Sequence, residues 1–198
     1  MRQYFCIVAL LIGAPVSHVN ACEAIPGLMA RLRPNPVEVY RTRELLPISL
    51  RTVSEKATLI VEGYVQPLKT YMSADRCYLM TDFAVTVRSS IAGPSILQTK
   101  PGPPFVFTQF GGEDIIDGVR VKVEDTQLPL LKAGQHVILF LSQFEQGGKY
   151  EMAGISGAFE VVDDHVTPLV KVPIEDIADM ATDRVAFINR VKAFHAGK

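Results

Sequence analysis

The chain has 198 residues, with 20 basic and 21 acidic side chains and a formal net charge of −1 at pH 7. Without an excess of positive charge, its electrostatics give no reason to expect nucleic acid or an anionic membrane as a partner, and we predict no nucleic-acid contact. The length suits one domain with its own core, and the 48% hydrophobic content excludes a disordered chain.

The N-terminal segment has the pattern of a secretory signal peptide. Arg2 precedes a short apolar run over residues 5–16, and Val19 and Ala21 stand at the −3 and −1 positions of a cleavage site. The apolar run is too short to cross a bilayer, which needs about 20 residues. We therefore predict that residues 1–21 are removed and that the protein is exported, to a periplasm or to the cell exterior.

Cleavage would leave two cysteines, Cys22 and Cys77, in an oxidising compartment. A disulfide between them is the simplest prediction, and it would add about 2–4 kcal/mol of stability. Two alternatives remain for Cys22. In the first, Cys22 is the acylated cysteine of a lipoprotein, and Ala21 fits the sequence pattern of such a site whereas Asn20 does not. In the second, Cys22 is a free N-terminal cysteine with an exposed amine. Membrane contact is expected only if Cys22 is lipidated.

Residues 22–56 are predicted to be an N-terminal strap that ends in a short helix. Prolines interrupt any long helix in the strap, and Ser49 is a suitable cap for a helix over residues 49–56. Four arginines make the strap basic. We interpret them as a solvated face over acidic residues, and the alternative is an interaction patch that includes Cys22. The four are Arg31, Arg33, Arg41 and Arg43.

Residues 57–172 have a period of two, with Gly and Pro turns between short runs. This pattern predicts a mainly β domain of seven or eight strands, either a small OB-like barrel or a sandwich. Gly63 predicts a bulge or a tight bend, and the continuous apolar run at 136–141 predicts a central strand covered on both faces. The predicted strands are 58–66, 80–88, 105–110, 119–123, 136–141, 150–154, 158–162 and 166–169.

Residues 173–198 are predicted to form a C-terminal amphipathic helix that packs on the barrel. Apolar residues recur there at spacings of three and four, and acidic residues near the start and basic residues near the end complement the helix dipole. The predicted buried face comprises Ile174, Ile177, Ala181, Val185, Ile188 and Val191.

No catalytic or metal-binding motif stands out in the mature chain. His136, His165 and His195 lack metal-ligand spacing, and the acidic residues within 113–117 lack the regular spacing of a Ca²⁺ loop. Ser156 does not lie in a G-x-S-x-G motif. We therefore predict no metal, no cofactor and no enzymatic activity.

Three segments taken in order resemble a known family. Residues 57–65 resemble an opening strand with a Gly near its end, residues 83–93 a second strand closed by a Gly, and residues 133–141 a Gly turn into an apolar strand. The series is similar to the netrin-like domain, the OB-type barrel of the tissue inhibitors of metalloproteinases. The resemblance implies that the amine and carbonyl of Cys22 chelate a protease zinc. However, Ala24 stands where that family has its second cysteine.

The leading functional hypothesis is an exported, non-enzymatic binding or interaction module with an unknown protein or envelope partner. The first alternative is a protease inhibitor acting through its N-terminal cysteine. The second alternative is a hydrolase whose site is built from loops.

Overall fold

The computed structural model describes residues 6–8, 24–32, 36–42, 48–93, 105–143, 149–154, 156–170, 174 and 183–196. In chain order, the elements within them are β1 (Cys6–Val8), α1 (Ala24–Leu32), β2 (Val37–Thr42), α2 (Leu50–Lys56), β3 (Leu59–Met72), β4 (Leu79–Ala92), β5 (Phe105–Phe110), β6 (Gly112–Ile116), β7 (Val119–Asp125), β8 (His136–Gln143), β9 (Tyr150–Met152), β10 (Ala158–Val162), β11 (His165–Pro168) and α3 (Arg184–Ala196).

Of the described residues, 53% lie in strands and 20% in helices, so the predicted mainly β fold with a C-terminal helix is confirmed. The chain divides into two compact units. Unit 1 comprises Met1–Glu44, Lys69–Asp82 and Gln109–Leu130, and unit 2 comprises Leu45–Leu68, Phe83–Thr108 and Leu131–Lys198.

Unit 2 contains a closed five-stranded barrel. Strands β8, β3, β4, β5 and β9 are neighbours in that order, and β9 pairs again with β8. The β5–β9 pair is parallel, whereas the β3–β8 and β8–β9 pairs are antiparallel. This order, with a parallel pair between the third and fifth barrel strands, is that of an OB-type Greek-key barrel. The predicted OB-like barrel is therefore confirmed.

Strand β8 is the central strand of unit 2. It pairs with β3, β9 and β10, and Val137 and Leu139 are fully buried, as are Ile138 and Phe140 on the opposite face. Neighbouring residues of a strand point to opposite faces, so burial of both sets means that the strand is covered on both sides. The prediction made from its continuous apolar run is correct.

A helical layer covers one outer face of the barrel. The Ser49 side chain accepts a hydrogen bond from the Thr52 N–H at 3.1 Å and caps α2, as predicted. The aromatic rings of Phe140, Phe159 and Phe187 join this layer to β8 and β10, with centroid separations of 5.0–6.4 Å. The buried side chains that share this cluster include Leu50, Val53, Ile60, Ile138 and Val191.

The predicted buried face of the C-terminal helix is wrong at Val185. Ile174 is buried but precedes the helix, and Ile177 and Ala181 lie outside the described residues. Helix α3 runs over Arg184–Ala196, and Val185 is 58% exposed. The Asp183 carboxylate caps the helix by accepting the Ala186 N–H at 2.7 Å, and the side chains that then face the core are Phe187 and Val191, four residues apart.

The hairpin between β10 and β11 turns through Asp163 and Asp164. Their φ angles are 48° and 61°, and Val162 pairs with His165 across the turn. Two consecutive residues with positive φ define a tight two-residue hairpin turn, and aspartate is one of the few residues that tolerate this conformation.

In unit 1, a helix and a strand lie where an irregular strap was predicted. Helix α1 contains Pro26, which is tolerated because the N–H groups of a first helical turn have no intrahelical acceptor. The apolar side chains Ile25 and Met29 are buried against β2 and β7. Prolines therefore do not prevent regular structure in this segment.

Unit 1 also contains a four-stranded sheet of order β1-β2-β7-β6, in which β6 and β7 form a hairpin and β1 belongs to the segment predicted to be removed as a signal peptide. Asp117 and Gly118 turn the hairpin with φ angles of 48° and 78°. The hydrogen bond from Arg120 to Glu113, at 2.7 Å, holds the pKa of Glu113 below its usual value. The acidic residues within 113–117 thus belong to a hairpin with its own ion pairs.

Gly63 lies where the backbones of β3 and β4 approach each other closely. A Cβ at this position would overlap the carbonyl oxygen of Thr86. We expect Gly63→Ala to lower the free energy of unfolding by about 2 kcal/mol, because neither backbone can move without disturbing the barrel. Urea unfolding followed by circular dichroism measures the change.

Gly27→Ala is the matched control for this substitution. Gly27 lies in α1, and no atom comes within 4 Å of the position that an alanine Cβ would occupy there. Alanine should therefore raise the free energy of unfolding by about 0.5–1 kcal/mol at this helical position. Equal stabilities of Gly63→Ala and the wild type would contradict the close approach.

Candidate functional site

On the outer face of β3, the side chains change from buried to exposed between residues 60 and 64. Ile60, Glu62 and Tyr64 share this face because side chains two residues apart on a strand point the same way. Ile60 is fully buried in the cluster with α2 and α3, Glu62 is 1% exposed, and Tyr64 is 44% exposed. Glu62 is therefore a buried carboxylate at the margin of the helical layer.

Four side chains contact the Glu62 carboxylate, and together with it they form what we term the Glu62 cluster. One oxygen, Oε1, lies 2.8 Å from Nε2 of His136, 3.2 Å from Nε of Arg184 and 3.7 Å from a terminal nitrogen of Arg88. The other oxygen accepts the Ser89 hydroxyl at 3.0 Å. A carboxylate can be buried when it is paired with charge and its oxygens are hydrogen-bonded, and both conditions hold here.

His136 is positioned by the β3–β8 ladder. It lies directly opposite Tyr64, and the two rings stack with centroids 4.7 Å apart and planes inclined by 23°. Because a carboxylate oxygen accepts, the contact with Glu62 places the hydrogen on Nε2 of His136. The imidazole is thus held at its edge by Glu62 and on its face by Tyr64.

Arg184 connects the start of α3 to two other elements. Its backbone N–H donates to the carbonyl oxygen of Asp164 in the β10–β11 turn at 2.9 Å, while its guanidinium contacts Glu62 on β3. The Asp164 carboxylate also lies 3.8 Å from the Arg184 guanidinium, but it is 84% exposed. Water screens the Asp164 contact, so the buried Glu62 is the stronger partner of Arg184.

Arg88 is the most exposed member of the Glu62 cluster. Its side chain is 52% exposed, compared with 15% for His136 and 19% for Arg184, and it makes the longest of the three cationic contacts. A guanidinium has five N–H donors in a planar fork. The Arg88 guanidinium therefore keeps most of its donors available while one of its nitrogens contacts Glu62.

This geometry favours binding over nucleophilic catalysis. The nearest hydroxyl, that of Ser89, is bonded to Glu62, whereas an activated serine needs a hydrogen bond to the histidine base. Across the described residues, no three His, Cys, Asp or Glu side chains come together as a metal-binding group. Among the described residues, those that face solvent here are Arg88, which contacts Glu62, and Tyr64, whose ring stacks on His136.

None of the described residues that were predicted from the sequence as site residues belongs to the Glu62 cluster. Arg31 is exposed in the last turn of α1, and Arg41 lies in β2. Cys22, Arg33 and Arg43 lie outside the described residues, as does the side chain of Arg41. Of the six predicted site residues, the structure therefore describes only the side chains of Arg31, in α1, and of Cys77, in the loop between β3 and β4.

Cys77 is buried in the loop between β3 and β4. It is 3% exposed, and its Sγ lies 3.2 Å from the carbonyl oxygen of Asp75. Hydrogen bonds from the Ser73 hydroxyl and the Cys77 N–H hold the pKa of Asp75 below its usual value. These bonds fix the loop backbone at Cys77, while the predicted Cys22–Cys77 disulfide stays a prediction.

Sequence reasoning missed the Glu62 cluster. The period-two pattern assigns Glu62 only to the polar face of its strand, and His136 has no second ligand at a metal-binding spacing. One signal was present: Glu62 directly follows the three apolar residues 59–61, and His136 directly precedes the five apolar residues 137–141. A charge inside such a strand indicates a buried partner.

No protein-family model matches the chain, and a search of curated proteins finds no relative. Within the described residues, no helix is both long enough and apolar enough to span a membrane. Function is therefore inferred from the geometry of the cluster.

Proposed function

We propose that the chain is an exported, non-enzymatic binding module whose ligand contacts Tyr64 and Arg88. The observation that carries this proposal is the Glu62 cluster, in which a buried carboxylate fixes a half-exposed arginine and a histidine that stacks on a half-exposed tyrosine. Tyrosine and arginine are enriched at binding hot spots, and fixing them before binding reduces the entropy lost on association.

Nuclear magnetic resonance of the mature protein tests this proposal. The ring resonances of Tyr64 and His136 are followed while ligands of three classes are added in turn. The classes are acidic peptides, basic peptides and neutral oligosaccharides. A saturable shift of these resonances by one class is the expected result. Shifts that occur only elsewhere, or in no class, would overturn the proposed site. Turnover of a test substrate that His136→Gln abolishes would favour the hydrolase alternative.

Export is part of the same proposal, and its support is the signal-peptide pattern of residues 1–21. The intact mass of the protein recovered from its native host should begin at Cys22 and rise by two hydrogens on reduction of a Cys22–Cys77 disulfide. A mass that retains residues 1–21 would contradict export. A mass with a diacylglycerol group would identify a lipoprotein instead.

The OB-type order of the barrel strands supports a second candidate, a metalloprotease inhibitor similar to the netrin-like family. In that case Cys22→Ala, or one extra residue before Cys22, should abolish inhibition while leaving the circular dichroism spectrum unchanged. An inhibitor whose activity survives both changes would not act through Cys22. A wild-type protein that slows no metalloprotease is not an inhibitor of this kind.

A further inference from the structure

The outer face of β3 continues beyond the Glu62 cluster as an exposed strip, which we define as Tyr64, Gln66 and Leu68. Tyr64 is 44% exposed and Leu68 is 55% exposed, so two large apolar side chains face solvent on one strand. They are four residues apart, or about 13 Å along an extended chain. Side chains four residues apart in an extended peptide have the same separation.

Arg88 gives the strip a positive end. Arg88 contacts Glu62, Glu62 contacts His136, and His136 stacks on Tyr64. These three contacts connect the guanidinium to the tyrosine ring. The single charge of the buried Glu62 is shared between two guanidinium groups, of which Arg184 is the nearer, so Arg88 is only partly neutralised. The Arg88 contact of 3.7 Å is longer than the 2.7–2.9 Å of a strong charge-assisted hydrogen bond.

A ligand carboxylate could therefore form a better bond with Arg88 than Glu62 does. Glu62 would still hold the arginine in position, so little side-chain entropy would be lost on binding. A basic ligand would instead meet the positive guanidinium, and a neutral apolar ligand would cover it without offering a hydrogen-bond acceptor.

We infer that this surface binds an acidic, extended peptide segment, with a carboxylate on Arg88 and an apolar or aromatic side chain along Tyr64 and Leu68. The inference rests on the proposed binding function and adds the chemical class of the ligand. Charge complementarity at Arg88 indicates the acidic character, and the period-two spacing of the strip indicates an extended chain.

The probe is a short fluorescein-labelled peptide with a glutamate on each side of one phenylalanine, and its binding is measured by fluorescence polarisation. The control peptide has glutamine in place of both glutamates. We expect the acidic peptide to bind the wild type and the control peptide to bind at least about tenfold more weakly, since a hydrogen bond between charged groups contributes about 1.5–3 kcal/mol.

Three variants locate the binding site. Arg88→Gln and Tyr64→Ala should each weaken binding of the acidic peptide by about tenfold. Lys192→Gln removes one positive charge from an exposed position of α3 and should leave binding unchanged. Urea unfolding of each variant checks that the barrel is intact, and Tyr64→Phe, which keeps the ring, should retain most of the binding.

The outcomes separate this inference from the proposed function. Equal binding of the two peptides, no binding of either, or equal losses in Arg88→Gln and Lys192→Gln would overturn the acidic-peptide inference. Binding of free glutamate as tight as that of the peptide would reduce the site to a simple anion site and would also overturn it. In each case, ring shifts of Tyr64 and His136 with another ligand class would leave the proposed function standing.

Discussion

Replacing Glu62 with glutamine is expected to lower the free energy of unfolding by about 3 kcal/mol, measured by urea denaturation at neutral pH. The side chain is 1% exposed and contacts Arg184, His136 and Arg88. Removal of one partner from a buried ion pair costs about 3–5 kcal/mol, because the remaining charge stays partly desolvated. Exposure of Arg88 to water places the expected loss at the low end of that range.

Asp164→Asn is the matched control for Glu62→Gln. Asp164 contacts the same Arg184 guanidinium at 3.8 Å but is 84% exposed, so its removal should cost less than about 1 kcal/mol. If the two substitutions have equal effects, the buried carboxylate does not stabilise the fold more than a surface ion pair does.

Replacing Phe187 with alanine is expected to cost about 4 kcal/mol and to loosen α3. Phe187 is 1% exposed, and its ring lies 5.0 Å from Phe159 and 6.4 Å from Phe140. Truncation of a buried phenylalanine removes its transfer free energy and leaves a cavity between β8, β10 and α3. Urea unfolding measures the loss, and hydrogen exchange of the α3 amides shows whether the helix opens locally.

Val185→Ala provides the control on the same helix. Val185 is 58% exposed, so its truncation should change stability by less than about 0.5 kcal/mol and leave exchange in α3 unchanged. Faster exchange in Val185→Ala than in Phe187→Ala would contradict this orientation of the helix.

Elements governed by local patterns could be predicted from the sequence. Alternation identified β4 and β7, the apolar run identified β8, and Ser49 marked the start of α2. The OB-like barrel could be predicted because several short strands with Gly and Pro turns permit few architectures. Helix α1 was missed because Pro26 was counted as a helix breaker, although a first turn accommodates it.

The candidate site could not be predicted because its contacts are long-range. Glu62 meets Ser89, His136 and Arg184 across separations of 27, 74 and 122 residues. A local pattern can indicate that Glu62 is buried, but a single sequence contains no pattern that identifies which distant residues are its partners. Only barrel closure and the docking of α3 bring them together.

These separations also bear on how the protein reaches its native state. The β3–β8 ladder joins residues more than 70 positions apart, and Arg184 reaches Glu62 only when the last helix docks. Loop-closure entropy is lost before such contacts can compensate for it, so folding of this barrel should be slow compared with that of a helical bundle of equal stability. During synthesis, Glu62 and the phenylalanines of β8 and β10 remain without these partners until α3 has been made. The nascent chain therefore exposes apolar strand surface until that point, which is when aggregation competes most strongly with folding.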